Sequence, residues 1–368
     1  MRGRPYRVLF VSLFPPRAGG LSVQSEVLAR WLAREGVEVV RVNAHREAAG
    51  ARLGQKAAKG LRQVVGVAGD CRRKISKVDR VLVAGCSWWG FMPVVVGILL
   101  ARRYGKPVSV LYHGGAAPQF LRFHHRWVRA LLNSAHMVAV TSSWLREAFA
   151  RKHISTIVVP PILDGNFSHQ RKRGRKPVFL SNRYLEPIYD VTTILEAFQV
   201  VQAAYPQAKL VVAGSGSQQQ MLQDFARQRG ISATFTGNVA REKMATLLGA
   251  ADFYLSAARV DNFPLSVLEA MRAGAMVVTT PVGELPHLMV HGMHGLFFAP
   301  GDPDSLAKTV LYALEHDDLC ERCRQNAREL AASFTWERVR HHYLTLVGLG
   351  GTRKAALPEG GQDVMVVR

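Results

Sequence analysis

The chain has 368 residues, 48% apolar and 20% charged, with 48 Lys and Arg against 27 Asp and Glu for a formal net charge of +21. These values suit a soluble globular protein of two domains, and no apolar run reaches the roughly 18 to 20 residues that a membrane span needs. The charge is one-sided: residues 1–177 hold 31 Lys and Arg against 8 Asp and Glu, or +23, whereas residues 178–368 hold 17 against 19, or −2. An excess of that size points to a polyanionic neighbour, whether a membrane surface, a phosphorylated substrate or nucleic acid. Nucleic acid is disfavoured, because the basic residues are scattered and are not interleaved with stacking aromatics.

In chain order, Tyr6 to Leu13 already behaves as a first strand, so the N-terminus does not read as a signal peptide. A Gly19-Gly20 turn leads to a helix from about Ser22 to Glu35, and strands follow at Val37–Val42, Val81–Ala84, Val108–Tyr112, Met137–Thr141 and Thr156–Val159. Glu47 to Lys77, rich in Ala, Gly, Arg and Lys, reads as a mobile helix or loop. Trp88 to Leu100 reads as a buried helix or an interfacial element. The pattern restarts after a basic linker, with strands at Val178–Ser181, Lys209–Ala213, Ala233–Phe235, Phe253–Leu255 and Met276–Thr279. Strands separated by helices imply parallel sheets with right-handed crossovers. The expected organisation is an α/β protein with a first Rossmann-like domain at 1–168, a linker at 169–177, a second Rossmann-like domain at 178–335 and a loosely ordered tail at 349–368. Four cysteines give no disulfide framework. Cys320 and Cys323 form a lone C-x-x-C in a charged helical stretch, read as a surface helix pair in a reducing compartment.

Several short segments fall where a strand ends. Gly19-Gly20 precedes a helix, where backbone amides can approach an anion. His113 follows the fourth strand, and Arg183 follows the first strand of the second domain, where a guanidinium can clamp a pyrophosphate. Gly214 and Gly216 follow the next strand, and Gly237-Asn238-Val239 another. Each is also compatible with an ordinary βα turn. The segment Asp261 to Gly274, DNFPLSVLEAMRAG, puts Asp261 in a loop and Glu269 in the first turns of a helix marked by Leu265, Leu268 and Met271. A carboxylate near a helix N-terminus is stabilised there and can accept two hydrogen bonds from the vicinal hydroxyls of a ribose. No G-x-G-x-x-G follows the first strand, which disfavours a nicotinamide dehydrogenase.

The Asp261–Glu269 segment, with FPLSVLEAMRAGAMVVTTPVGELPHL around it, resembles the E-x7-E motif of family 4 glycosyltransferases, with Asp261 where that family usually has Glu. The resemblance implies the GT-B fold, with a helix at 336–348 that crosses back onto the first domain. It implies a nucleotide-sugar-dependent transferase that retains anomeric configuration, with His113, Arg183, Asp261 and Glu269 in the reaction centre. Donor contacts are implied for Gly19, Gly20, Arg183, Gly214, Gly216, Asn238, Val239, Glu269 and the run Asn262, Phe263, Pro264 and Leu265. Two departures stand out. The lysine that often follows the arginine is missing, because Ile188 and Tyr189 occupy its place. The loop Gly283-Glu284-Leu285-Pro286-His287 differs from the family's G-G-I-P-E, and Glu284 and His287 also read as simply solvated. The expected partners are a nucleotide-sugar donor, a glycan or lipid-linked acceptor and an anionic membrane surface, with no nucleic acid. No metal and no cofactor beyond the donor substrate is expected, since no Asp-x-Asp motif stands out. The expected location is cytoplasmic, with peripheral attachment at the inner face of a membrane. The alternative is a catalytically silent sugar-nucleotide binder that scaffolds glycan assembly.

Overall fold

A computed structural model of the chain describes residues 4–15, 19–44, 53–165, 167 and 176–350. It contains two six-stranded sheets, and every strand pairing recorded within them is parallel. The first comprises β1 (Arg7–Ser12), β2 (Glu38–Asn43), β3 (Arg80–Gly85), β4 (Val108–Tyr112), β5 (Met137–Val140) and β6 (Ile157–Val158), in the order β2-β1-β3-β4-β5-β6. The second comprises β7 (Val178–Ser181), β8 (Lys209–Ala213), β9 (Ala233–Gly237), β10 (Phe253–Ser256), β11 (Met276–Thr279) and β12 (Leu296–Phe297), in the order β12-β11-β10-β7-β8-β9. The two-residue β12 is too short to leave a periodic signal and was absent from the sequence-based assignment.

The strands are apolar on both faces because helices cover both. Alternate residues of β1 enter different cores. Leu9 and Val11 join Val81 and Val83 under helices α2 (Leu53–Lys74), α3 (Met92–Arg103), α4 (Ala117–Leu132) and α5 (Ser143–Ala150). Val8 and Phe10 join Leu82 and Ala84 under α1 (Gly20–Arg34) and a last helix, Trp336–Leu346. That last helix stacks Trp336 on Trp31, with ring centroids 5.5 Å apart, and Trp336 Nε1 donates to Glu35 Oε1 at 2.9 Å. In the second half, α6 (Val191–Ala204), α7 (Gln219–Gln228), α11 (Pro303–Glu315) and α12 (Asp317–Ala332) cover one face of the sheet. The other face carries α8 (Arg241–Ala250) and α9 (Leu265–Ala273), with the short α10 (Leu285–Leu288) at its edge. Helix α9 ends at Gly274, φ +81°, where Ala275 N bonds Ala270 O and Gly274 N bonds Met271 O, both at 3.0 Å. That reversal needs a left-handed residue, and a Cβ at Gly274 would also press on the Arg328 guanidinium.

Two expectations change. Cys320 and Cys323 are buried, 1% and 0% exposed, because the C-x-x-C lies on the face of α12 that packs into the second core and not on its charged face. Trp88–Leu100 divides into a single turn, Trp88–Phe91, and the start of α3, and Trp88, Trp89 and Leu99 are exposed. Of the expected linker only Lys176 and Pro177 are described, and of the expected tail only Leu349 and Gly350; the remainder lies outside the described residues.

Both sheets have a topological switch point, where the chain leaves in opposite directions from adjacent strands. In the first it lies between β1 and β3, and in the second between β7 and β10. Crevices at the carboxyl ends of such strand pairs are where open α/β sheets take ligands.

Candidate active site

The two switch points open into one cleft of about 880 Å³, lined by residues from both sheets. That volume lies in the usual range for small-molecule sites. From the first sheet come Gly19 and Gly20 after β1, Cys86 after β3 and His113 after β4. From the second come Asn182 and Arg183 after β7, Gly214 after β8, Asn238 and Val239 after β9, and the run from Val260 to Ser266 with Glu269.

Arg183 is the centre of the second wall. Its Nη2 is ion-paired with Asp261 Oδ2, its Nη1 donates to Ser266 Oγ at 2.7 Å, and its guanidinium lies 4.3 Å from the Tyr189 ring centroid. The Nε is buried without a hydrogen-bond partner. Burial opposes the cation most strongly, but the Asp261 carboxylate together with Tyr254 and Tyr189 outweighs it, and the pKa rises above the ordinary arginine value. Tyr189 therefore fills the place where the resemblance puts a lysine and packs against the arginine instead. Among the described residues that line the cleft, Arg183 is the sole Lys or Arg. No described lysine or arginine of the first sheet's loops joins it there.

Asp261 uses both oxygens, Oδ2 for Arg183 and Oδ1 to accept from Asn262 N at 2.7 Å. Glu269 sits in the second turn of α9 at the base of the cleft. Burial pushes its carboxyl up to about 7, against the opposing pull of Arg241 and Arg183. His113 is driven the other way: burial lowers it to about 4, so its imidazole is neutral at pH 7. Gly19, at φ +149°, turns the chain into the N-terminus of α1, and no atom lies within 4 Å of a Cβ built on Gly19 or Gly20. The cleft thus meets open backbone there, in the arrangement that admits an anion.

The structure brings all but one of the sequence-predicted residues to this cleft. The exception is Gly216, whose missing Cβ makes room for the backbone of Leu185, so it shapes the turn from behind. Gly214 lines the cleft and also packs against the Arg183 carbonyl at φ +142°. Pro264 and Leu265 start α9, and Phe263 packs edge-on against Phe334 with centroids 5.5 Å apart.

The Asn262 side chain has a task besides the donor contact expected of that residue. It is 6% exposed, and its side chain reaches into the first sheet's loops. Its Nδ2 donates to Thr141 Oγ1 at 2.8 Å and to His113 O at 3.2 Å, and its Oδ1 accepts from Ser142 Oγ at 2.6 Å. Glu284 makes the same crossing. It is buried, not solvated, and its Oε2 accepts from Trp144 N at 2.8 Å at the start of α5. Burial raises its pKa, and the Trp144 and Ser143 amides pull the other way. A carboxylate on a helix N-terminus is well placed. His287 is exposed. Sequence reasoning missed Ser266, the stacked Tyr189 and Tyr254, whose hydroxyl donates to Asn182 Oδ1 at 2.7 Å. Ser266 and Tyr254 carry no local signal, since each acts on a residue that the fold brings in from another strand end, whereas Tyr189 stacks on Arg183 only six positions away.

The family model for Glycosyl transferases group 1 matches residues 165–330. That stretch carries the second sheet and most of its helices. Glycogen synthase of Mycobacterium tuberculosis is 28% identical over 266 residues, which is 66% of this chain and 63% of that enzyme. The chain thus spans less than two thirds of that curated relative. Among solved structures, sucrose-phosphate synthase from Thermosynechococcus elongatus superposes with a TM-score of 0.77 at 19% identity, covering 93% of this chain and 98% of that one. Anabaena HepE in complex with UDP and glucose superposes with a TM-score of 0.72 at 18% identity, covering 92% and 98%. The likeness establishes the GT-B fold for this chain.

Proposed function

We propose that the protein is a retaining glycosyltransferase that moves a sugar from a nucleotide-sugar donor to an acceptor hydroxyl on a lipid-linked or phosphorylated glycan precursor. The observation that carries this reading is the wall formed by Arg183, Asp261 and Glu269 at the second switch point, opposite His113. In this reading Glu269 accepts hydrogen bonds from the donor ribose, and Arg183 takes the diphosphate through its Nη atoms and free Nε. The neutral imidazole of His113 and the carboxylate of Asp261 hold the sugar hydroxyls. The acceptor oxygen bonds to the anomeric carbon on the face that the diphosphate leaves, the bond from that carbon to the diphosphate oxygen breaks, and the hydroxyl proton passes to the departing diphosphate. Catalysis then rests on positioning and on electrostatic stabilisation of the leaving group, without a protein nucleophile or a metal. A UDP complex of the similar Anabaena fold supports a uridine donor as the first to test.

The charge of the first half favours the anionic acceptor. No described helix is long and apolar enough to cross a membrane, so a lipid-linked acceptor would be met at a membrane surface. The competing reading, a silent sugar-nucleotide binder, is favoured by one observation: Asp261 already holds Arg183, the single arginine among the described residues that line the cleft. A thermal-shift screen against UDP-, GDP-, ADP- and TDP-sugars, followed by a nucleotide-release assay, separates the two. Release that disappears in Glu269→Ala and persists in the surface variant Gln207→Ala supports the transferase. Binding of a donor without release in the presence of acceptor lipids or sugars supports the scaffold, and no binding refutes both.

A further inference from the structure

The stretch between Asp79 and Glu147 contains no acidic residue and eight basic ones: Arg80, Arg102, Arg103, Lys106, Arg122, Arg126, Arg129 and Arg146. The same stretch holds every exposed tryptophan among the described residues. Trp88 is 46% exposed, Trp89 65% and Trp127 45%, and Phe123 beside them is 67% exposed. Exposed aromatics and an excess of arginines therefore share one stretch of the first domain, and Arg122 and Arg126 lie beside the exposed rings of α4. An apolar patch of this kind is uncommon on a surface that meets only water.

The patch is built, not incidental. Trp88 is held at φ +58°, a conformation that bulky residues avoid. Its ring lies against Phe120 and His124 on α4, with centroids 5.6 Å apart in both cases. Trp127 packs on Phe91 of the same turn as Trp88, at 5.6 Å. Phe123 and Trp127 are one helical turn apart on the outer face of α4, and so are Arg122 and Arg126, which gives adjoining aromatic and cationic stripes. Trp88 and α4 both follow strand ends at the cleft, which is lined by Cys86 just before the tryptophans and by Gln119 in the first turn of α4. A second, apolar cavity of about 280 Å³ lies beside Trp89, walled by Val64, Val67, Met92 and Val96, and it shares Leu21 and Cys86 with the cleft.

We infer that Trp88, Trp89, Phe123 and Trp127, with Arg122 and Arg126, form a face that docks on an anionic lipid bilayer and brings the acceptor side of the cleft to the membrane surface. This inference rests on the reading of the acceptor as lipid-linked. Tryptophan suits the lipid–water boundary, with an apolar body and a polar N–H. The arginines complement anionic head groups, each strengthening attachment roughly fivefold near such a surface. A nucleic acid fits the face less well. The rings meet at steep angles, 70° and 86° for Trp88 against Phe120 and His124 and 71° for Trp127 against Phe91, so they offer no row of parallel faces for bases to stack on.

The test is flotation of the full chain with vesicles of phosphatidylcholine alone and of phosphatidylcholine with phosphatidylglycerol, at low salt. Binding should require the anionic lipid. Trp89→Ser with Phe123→Ser, the two most exposed rings, should weaken it at least tenfold, and Arg122→Gln with Arg126→Gln by about twenty-five-fold. Both double variants should melt with the wild type and keep their donor thermal shift, which separates loss of docking from loss of fold. Equal binding to neutral vesicles, no binding, or undiminished binding in both variants overturns the inference. So does a result in which the same variants instead abolish binding of an RNA oligonucleotide or a concentration-dependent dimer. The donor screen and the vesicle assay fail independently: vesicle binding without any donor shift would refute the transferase and leave the docking face standing.

Discussion

Replacing Glu269 by Gln should stabilise the ligand-free protein while weakening its hold on donor. An ordinary glutamate titrates near 4.5, and burial in the cleft lifts this one to about 7. Between those values the unfolded chain has lost the proton and the folded chain keeps it, so the folded state binds more protons and stability falls as pH rises. The loss is absent below pH 4.5, grows through the window and is complete above pH 7. The interval between the two pKa values corresponds to about 3 kcal/mol. Glutamine carries no charge at any pH and escapes this loss. Urea unfolding of wild type and Glu269→Gln from pH 4.5 to just above pH 7 should therefore show curves that diverge toward neutral pH by up to about 3 kcal/mol. His113, whose depressed pKa costs stability as pH falls from 6.5 toward 4, is present in both proteins and cancels. Donor binding should move the opposite way, because hydrogen bonds from ribose hydroxyls to an ionised carboxylate contribute about 1.5–3 kcal/mol. Two unfolding curves that stay parallel across the whole range would show that Glu269 is not held as a buried acid.

Three further outcomes are expected. Glu284→Ala removes the charged acceptor from the α5 amides, an interaction of about 1.5–3 kcal/mol, and should increase the radius of gyration in small-angle scattering; an unchanged radius would mean the contact does not hold the two halves together. Arg183→Lys loses the fork that reaches Asp261 and Ser266 together and the stack on Tyr189, so transfer should fall by about 10²–10³-fold, and near-normal turnover would remove Arg183 from leaving-group stabilisation. Transfer should proceed at its full rate after exhaustive treatment with EDTA, and restoration by added divalent cations of a lost rate would show that the reaction uses a metal.

The α/β pattern was legible because parallel strands covered on both sides leave uninterrupted apolar runs, as in Val8 to Val11 and Met276 to Thr279. Asp261 and Glu269 were legible because their relation is local, one loop and one helical turn. The Arg183–Asp261 pair was not, because it spans 78 positions and depends on β7 lying next to β10, a strand order that no residue pattern specifies. Glu284 was harder still. Its partner is a backbone amide 140 positions away on the other sheet's side of the cleft, and any residue could have supplied that amide. Cys320 and Cys323 misled for a related reason. The acidic and basic residues around them describe the outer face of α12, whereas the i, i+3 spacing turns both thiols inward, where cysteine packs as a small apolar residue.

The loop between β10 and α9 is gripped from both sides at adjacent residues. Arg183 holds Asp261 from within the second half, and Thr141, Ser142 and His113 hold Asn262 from the first. The Asn262 amide has an acceptor for each N–H and a donor for its oxygen, so this buried network is satisfied in one relative placement of the halves and loses bonds in any other. Close packing reinforces it: a Cβ on Gly283 would meet Asp261 O and Asn262 O at 2.5 Å, and one on Gly115 would touch Asn262 N at 3.4 Å. The placement of His113 relative to Asp261 is thereby tied to the angle between the halves, since its carbonyl is one of the groups that hold Asn262. A diphosphate that reaches Arg183 competes with Asp261 for the same nitrogens, and the carboxylate it displaces already lies in the wall facing His113. In the proposed transferase, arrival of the donor and the freeing of Asp261 for the sugar would be one event, which would give a physical reason for an aspartate at this position: both of its oxygens are engaged in the ligand-free cleft, which holds it in register.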